Sequence, residues 1–372
     1  MFANMHEYTA YQRPNISHFT TRSFQIFSEE KDCLVQLREA IFQYMVIIEG
    51  KGELDLPSLA SFISASTYTN DKCELSKVVY TDIVSLPADS NNAVLQVLNK
   101  LHANFIVELG FRWLIVVGDG KTYDILQSLR RQYGSQMQWR LPFPRDWHIL
   151  YNYQKVMLKI YGEAGLLQLA KVAGHRAETL KTLARESHFK RTHNFILQSF
   201  EAMYRCFVWT YLSTIESDSS QVVTQTANTL AYALANVTSD VGLEELLEQL
   251  KATFNTTHLD LTVGFRAFMD DLCKSQKTCQ FWHEYLTMNS LIYMAPFIAI
   301  RNADWMLRMA AIKSMAAVIC AFDRLIYQNL IPQHLADLLW FPTPVMQHLK
   351  KDPFKVHLTE SSGHAVDLDE VH

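Results

Sequence analysis

The pattern of apolar and polar positions changes character part-way along the chain. Up to Pro144, short apolar or alternating runs are interleaved with stretches of helical spacing. KVVYTDIVS, residues 77–85, predicts a strand that contains Asp82 and closes before Pro87. Asp89-Ser90-Asn91 predicts an N-cap for a helix running to about Leu109. Leu114 to Val117 is continuously apolar and rich in β-branched residues, as expected of a strand covered on both faces. TYDILQSLRRQY then puts Tyr123, Leu126, Leu129 and Tyr133 on one helical face, and residues 138–143 predict a further strand. Upstream, residues 29–49 predict a helix ended by Gly50 and Gly52, residues 57–66 a short helix, and residues 19–27 an edge strand. After Asp146 the spacing is helical to about residue 350, where Pro332, Pro342 and Pro344 punctuate it. Residues 354–359 predict a late strand, followed by one more helix.

This order of strands and helices predicts an α/β fold with at least three neighbouring strands, partly parallel. The long helical block reads as an insertion whose last pieces return to the same sheet. The expected division is 1–146 for the first part of the core, 147–350 for the insertion and 351–372 for the return.

Composition narrows the function. Hydrophobic residues make up 49% of the chain and charged residues 19%, which excludes a disordered polymer. The net charge of −4 is unevenly spread: residues 119–193 hold thirteen Lys/Arg against six acids, between two acidic flanks. A local basic surface fits nucleic acid, and it equally fits basic residues solvating separate helix faces. The six cysteines are scattered, form no CxxC and predict a reducing, intracellular setting without a zinc site. The opening MFANMHEYTAYQRPN has no apolar core and predicts no leader. Leu291 to Ile300 is too short to span a bilayer, so no membrane partner is expected. Gly118 to Thr122 lacks the first glycine and spacer of a phosphate loop, so no nucleotide cofactor is expected.

Asp119, just past the end of a predicted strand, holds the position where α/β folds place ligand and catalytic groups. The same residue between two glycines is also a natural helix cap. Asp82 lies in the neighbouring predicted strand. His148 follows the next strand, either beside such a site or as a hydrogen-bonded core residue. Lys190 and Arg191, with His193, form a basic cluster suited to phosphates or to a solvated helix start. Asp304, Trp305 and Arg308 read as a structural polar group.

Several long blocks carry a resemblance: GDGKTYDILQSL, LPFPRDWHILYNYQ, FKRTHNFILQSFEAMYR, AIRNADWMLRMAAIKSMAAVICAFDRLIYQNLIPQHLADLL and VDLDEVH. Over roughly residues 75–372 the chain resembles the uncharacterised, multicopy proteins grouped as domain of unknown function 6589. That resemblance implies a transposase-derived protein with a small ribonuclease-H-like mixed sheet and a large all-helical insertion. It further implies DNA as partner, a nuclear location and carboxylates holding Mg²⁺ for phosphodiester chemistry. On this chain the implied metal ligands are Asp119, Asp82 and Asp369. The implied catalytic set is Asp119, Asp82, Glu370 and His148, and Lys190, Arg191, Arg130 and Arg131 are the implied nucleic-acid contacts. Asp367, Asp369 and Glu370 also suit the first turn of a helix. The chain departs from the family pattern with Arg145 before Asp146-Trp147-His148, with Ala3-Asn4 in place of an upstream Asp-Asn pair, and with no Lys-rich tail after the last acids. The resemblance therefore implies an incomplete, inactive copy. The other reading is a non-enzymatic helical interaction protein that keeps only the scaffold.

Overall fold

The computed structural model describes residues 21–50, 59, 89–185, 187–215, 225, 228, 231–232, 261–302, 304–322, 325–351, 355–359 and 362–365. In chain order its helices are α1 (Thr21–Phe24), α2 (Ser28–Gly50) and α3 (Asn91–Leu101), which continues as a π-helical stretch, His102–Glu108. Strand β1 (Leu114–Gly118), α4 (Gly120–Tyr133) and β2 (Arg140–Pro144) follow. Next come α5 (Asp146–Tyr161), α6 (Leu167–Val172), α7 (Ala177–Ala184) and α8 (Phe189–Thr214). The later helices are α9 (Leu261–Ser275), α10 (Lys277–Glu284), α11 (Leu291–Asn302), α12 (Trp305–Ala321), α13 (Leu325–Leu338) and α14 (Thr343–Lys351). A hairpin of β3 (Lys355–Thr359) and β4 (Ser362–Ala365) closes the series.

The expected ribonuclease-H-like mixed sheet is not what forms. Among the described residues there are two separate two-stranded sheets, and everything between β2 and β3 that is regular is helical. β1 and β2 pair in parallel, Leu114 opposite Arg140 through Gly118 opposite Pro144. β3 pairs antiparallel with β4 and does not return to that sheet. The expected strand at 77–85 lies outside the described residues, and residues 21–24 of the expected edge strand form α1.

Backbone chemistry explains why the parallel pair stops at β2. Leu114 N donates to the Trp139 carbonyl at 2.8 Å, and Arg145 N donates to the Gly118 carbonyl at 3.0 Å. In a strand, alternate residues turn their amides the same way, so residues 139, 141, 143 and 145 address β1. The intervening Pro142 and Pro144 face the other edge, and neither has an N–H to give. A further strand on that edge would find no donor at two successive positions.

The division of burial also differs from expectation. Leu114, Ile115, Val116 and Val117 of β1 are only half-buried, whereas all five residues of β2 are buried. A continuous apolar run reports affinity for a core but not which faces the tertiary fold will cover.

The chain divides into two compact units: Met1–Phe27 with Lys72–Val156 and Ile312–His372, and Ser28–Asp71 with Met157–Ala311. In the first unit, Val94 and Leu98 of α3 pack on Ile125, Leu126 and Leu129 of α4, with Met137 and Trp139 below them. α4 also packs on α13. There Arg130 and Asp337 form an ion pair at 2.7 Å with both side chains buried. Gln127 donates to the second Asp337 oxygen at 2.8 Å, and Gln333 donates to the first at 3.3 Å. Such a pair survives without water only because both carboxylate oxygens are satisfied. Pro332, expected to punctuate the chain, lies inside α13.

In the second unit, α8 packs on α2 and α9. Phe265 of α9 stacks on Phe42 at 4.9 Å and meets Tyr204 and Tyr211 of α8. Gly264 leaves the space that the Tyr211 hydroxyl fills. Two polar pairs lie in this core: Ser199 with the Tyr285 hydroxyl at 2.8 Å, and Asn289 to the Tyr161 hydroxyl at 2.7 Å.

Candidate functional site

The carboxyl ends of β1 and β2 bring Asp119, Arg145, Asp146 and His148 into the first unit's polar corner. β1 ends at Gly118, and Asp119 turns the chain into α4 with extended backbone angles. Its Oδ1 accepts a hydrogen bond from Thr122 N at 2.7 Å, so the carboxylate is the N-cap of α4. A Cβ at Gly120 would lie 2.9 Å from the Tyr327 hydroxyl and 3.1 Å from Ile326 Cγ2, so a larger residue there would push these side chains aside. Tyr327, from α13, is buried with its hydroxyl close to Gly120. Burial first, and the Asp119 charge second, push the Tyr327 phenol up to about 12.

Partial burial of Asp119 by itself would raise its pKa. Hydrogen bonds from the Thr122 amide and hydroxyl, with the neighbouring His148 and Arg145, overcome that and hold it below the ordinary carboxylate value. Crowded metal-binding carboxylates without their ion would do the reverse. Among the described residues, no group of three or more His, Cys, Asp or Glu side chains is arranged to hold a metal ion. Asp82, Asp367, Asp369 and Glu370 lie outside the described residues.

On α5, Asp146 is buried in the first turn. His148 is half-buried beside Trp147, whose ring meets it edge-on at 4.7 Å. Trp147 also stacks on Tyr151 at 5.5 Å, and the Lys155 ammonium sits 4.2 Å over the Tyr151 ring.

The four expected nucleic-acid contacts have different surroundings. Arg130 is buried in its pair with Asp337, so its guanidinium works inside the fold. Arg131 is exposed in the last turn of α4, where a cation suits the helix dipole. Lys190 and Arg191 are exposed at the start of α8 in the second unit. Asp304 caps α12 through Leu307 N at 2.9 Å, and Arg308 lies over the Trp305 ring at 5.2 Å.

Sequence reasoning missed Tyr327 and Asp337. A signal for Asp337 exists: it is the one acid in the apolar run LIPQHLADLLW, and an acid in such a run needs a buried partner.

A family model described as Domain of unknown function (DUF8702) matches residues 60–360, most of the chain. The chain belongs to that family. DUF8702 therefore replaces the grouping numbered 6589, and the match bears on an uncharacterised domain, not on a transposase. No curated protein and no solved structure matches the chain. Among the described residues of this DUF8702 member, no helix is long and apolar enough to cross a membrane.

Replacing Asp119 tests the cap. Asp119→Ala is expected to lower stability by about 1 kcal/mol, the usual worth of an N-cap. Because the folded pKa is depressed, this contribution is present above the unfolded carboxylate value of about 3.9 and is lost as pH falls through the lower folded value. Melting temperature measured against pH should therefore fall less steeply on the acid side in Asp119→Ala. Equal stabilities at neutral pH would show that Asp119 is no cap.

Proposed function

We propose that this DUF8702 protein is a non-enzymatic, predominantly helical interaction module in which Asp119 serves folding. One observation carries the reading: the carboxylate best placed for chemistry already accepts the Thr122 amide at 2.7 Å as a helix cap. Its lowered pKa agrees with a carboxylate held by its hydrogen bonds to Thr122 and by the neighbouring His148 and Arg145, which outweigh its partial burial.

A second reading keeps one supporting observation. Asp119 stands past the carboxyl end of a parallel strand pair, with His148 close enough to act on its ionisation. In that reading Mg²⁺ would bind Asp119 together with Asp82 and Asp369. His148 and Glu370 would assist cutting or strand transfer on DNA, and the protein would work in the nucleus.

Divalent ions separate the two. The interaction reading expects an unchanged melting temperature in millimolar Mg²⁺ or Mn²⁺, and no nicking of supercoiled DNA. A bound ion at a hundred times its Kd would add about 2.7 kcal/mol to the folded state. A rise in melting temperature that Asp119→Asn abolishes, accompanied by nicking, would overturn the non-enzymatic reading.

A further inference from the structure

The second unit carries a surface that the Asp119 corner does not involve. α6, α7 and the start of α8 pack against one another. Residues 171–191, which run through this corner, contain six Lys/Arg against two acids. All six, Lys171, Arg176, Lys181, Arg185, Lys190 and Arg191, are exposed.

Among the described residues, little of that charge is used internally. Lys181 reaches Glu178 at 4.0 Å with both side chains largely in water, a contact of small worth. Arg191 lends one N–H to the Thr182 hydroxyl at 3.4 Å, which ties α8 to α7 and leaves the rest of its fork outward. Lys190 and Arg191 occupy the first turn of α8, where the helix dipole opposes a cation, so their charge does not serve the helix.

We infer that this corner grips the phosphate backbone of a nucleic-acid duplex. The inference rests on the interaction-module reading and names its partner. Charge complementarity selects a polyanion. The make-up of the corner selects among polyanions. Phe189, the one Phe, Tyr or Trp in its sequence, is half-buried and stacked on His193 at 5.7 Å, so the corner offers single-stranded bases no open large ring to stack on among its described residues. Val172 is the large apolar side chain exposed there, and one valine does not anchor a surface in a bilayer that also needs apolar insertion. Duplex phosphates ask only for outward cations on a rigid surface, and three mutually packed helices supply one.

The test uses the full chain and a short fluorescein-labelled DNA duplex in EDTA, read by fluorescence anisotropy. Binding is expected to weaken by roughly a thousandfold between about 50 and 200 mM salt if all six cations meet phosphates. Arg176→Glu/Arg185→Glu/Lys190→Glu should keep the wild-type melting temperature, since all three side chains are exposed. It should reduce the slope of log affinity against log salt by about three. Lys100→Glu, an exposed cation of the first unit, should leave binding unchanged. Absence of duplex binding, unchanged binding by the folded triple variant, or tighter binding to single strands or phosphatidylserine vesicles would overturn the inference. Because EDTA removes divalent ions, failure here is distinct from failure of the non-enzymatic reading, which shows itself only as metal-dependent nicking.

Discussion

Asp337→Ala is expected to destabilise the first unit by about 3–5 kcal/mol, the usual consequence of stripping one partner from a buried ion pair. The carboxylate is fully buried and holds the Arg130 guanidinium at 2.7 Å and the Gln127 amide at 2.8 Å. Without it, Arg130 keeps a positive charge with little water to receive it, and Gln127 loses its acceptor. A second variant separates the penalty of the orphaned charge from the worth of the pair. Arg130→Met/Asp337→Leu removes both charges and is expected to recover much of the loss, because well-packed apolar replacements of buried pairs are often neutral. Urea denaturation followed by amide exchange across α4 measures both. A double variant as weak as Asp337→Ala would mean that packing at this spot, not charge, dominates.

Phe143→Ala is expected to cost about 3–5 kcal/mol, and Val116→Ala in the partner strand markedly less. The two residues sit on paired strands, one ladder position apart. Phe143 is 1% exposed and meets the His334 ring edge-on at 4.5 Å, whereas Val116 is half-buried. Truncating Phe143 leaves a cavity that the flanking prolines, fixed in φ, cannot easily close. Comparable losses in the two variants, measured by denaturation midpoints, would contradict the burial assigned to β1.

Much of the local structure was legible in the sequence because it depends on neighbouring residues. Ser90 caps α3 through Ala93 N at 3.3 Å, and Asp119 caps α4, one of the two roles its position suggested. Tyr123, Leu126 and Leu129 are buried along one face of α4, as their spacing predicts. The two strands around that helix lie close to their expected places.

What failed depended on distant partners. Nothing near residues 354–359 announces that the strand there folds onto its own hairpin instead of a sheet. Arg130, an expected nucleic-acid contact, is instead held inside the fold by Asp337, over two hundred residues away. Pro332 reads as a helix breaker, yet tertiary packing holds α13 through it. The Leu-Pro-Phe-Pro run held the information that the sheet would stop there, but only once the direction of its amides was known.

That proline edge bears on how this protein can recruit others. Strand addition, in which a peptide extends an open sheet, draws its affinity from main-chain donors and acceptors in register. The outer side of β2 offers carbonyls but no amide at Pro142 or Pro144, so an incoming strand would leave its own acceptors unmet there. The same gap keeps a second copy of the chain from templating on β2, a common beginning of domain swapping and fibril growth. At this edge of β2, then, strand addition gives a partner of this protein no foothold.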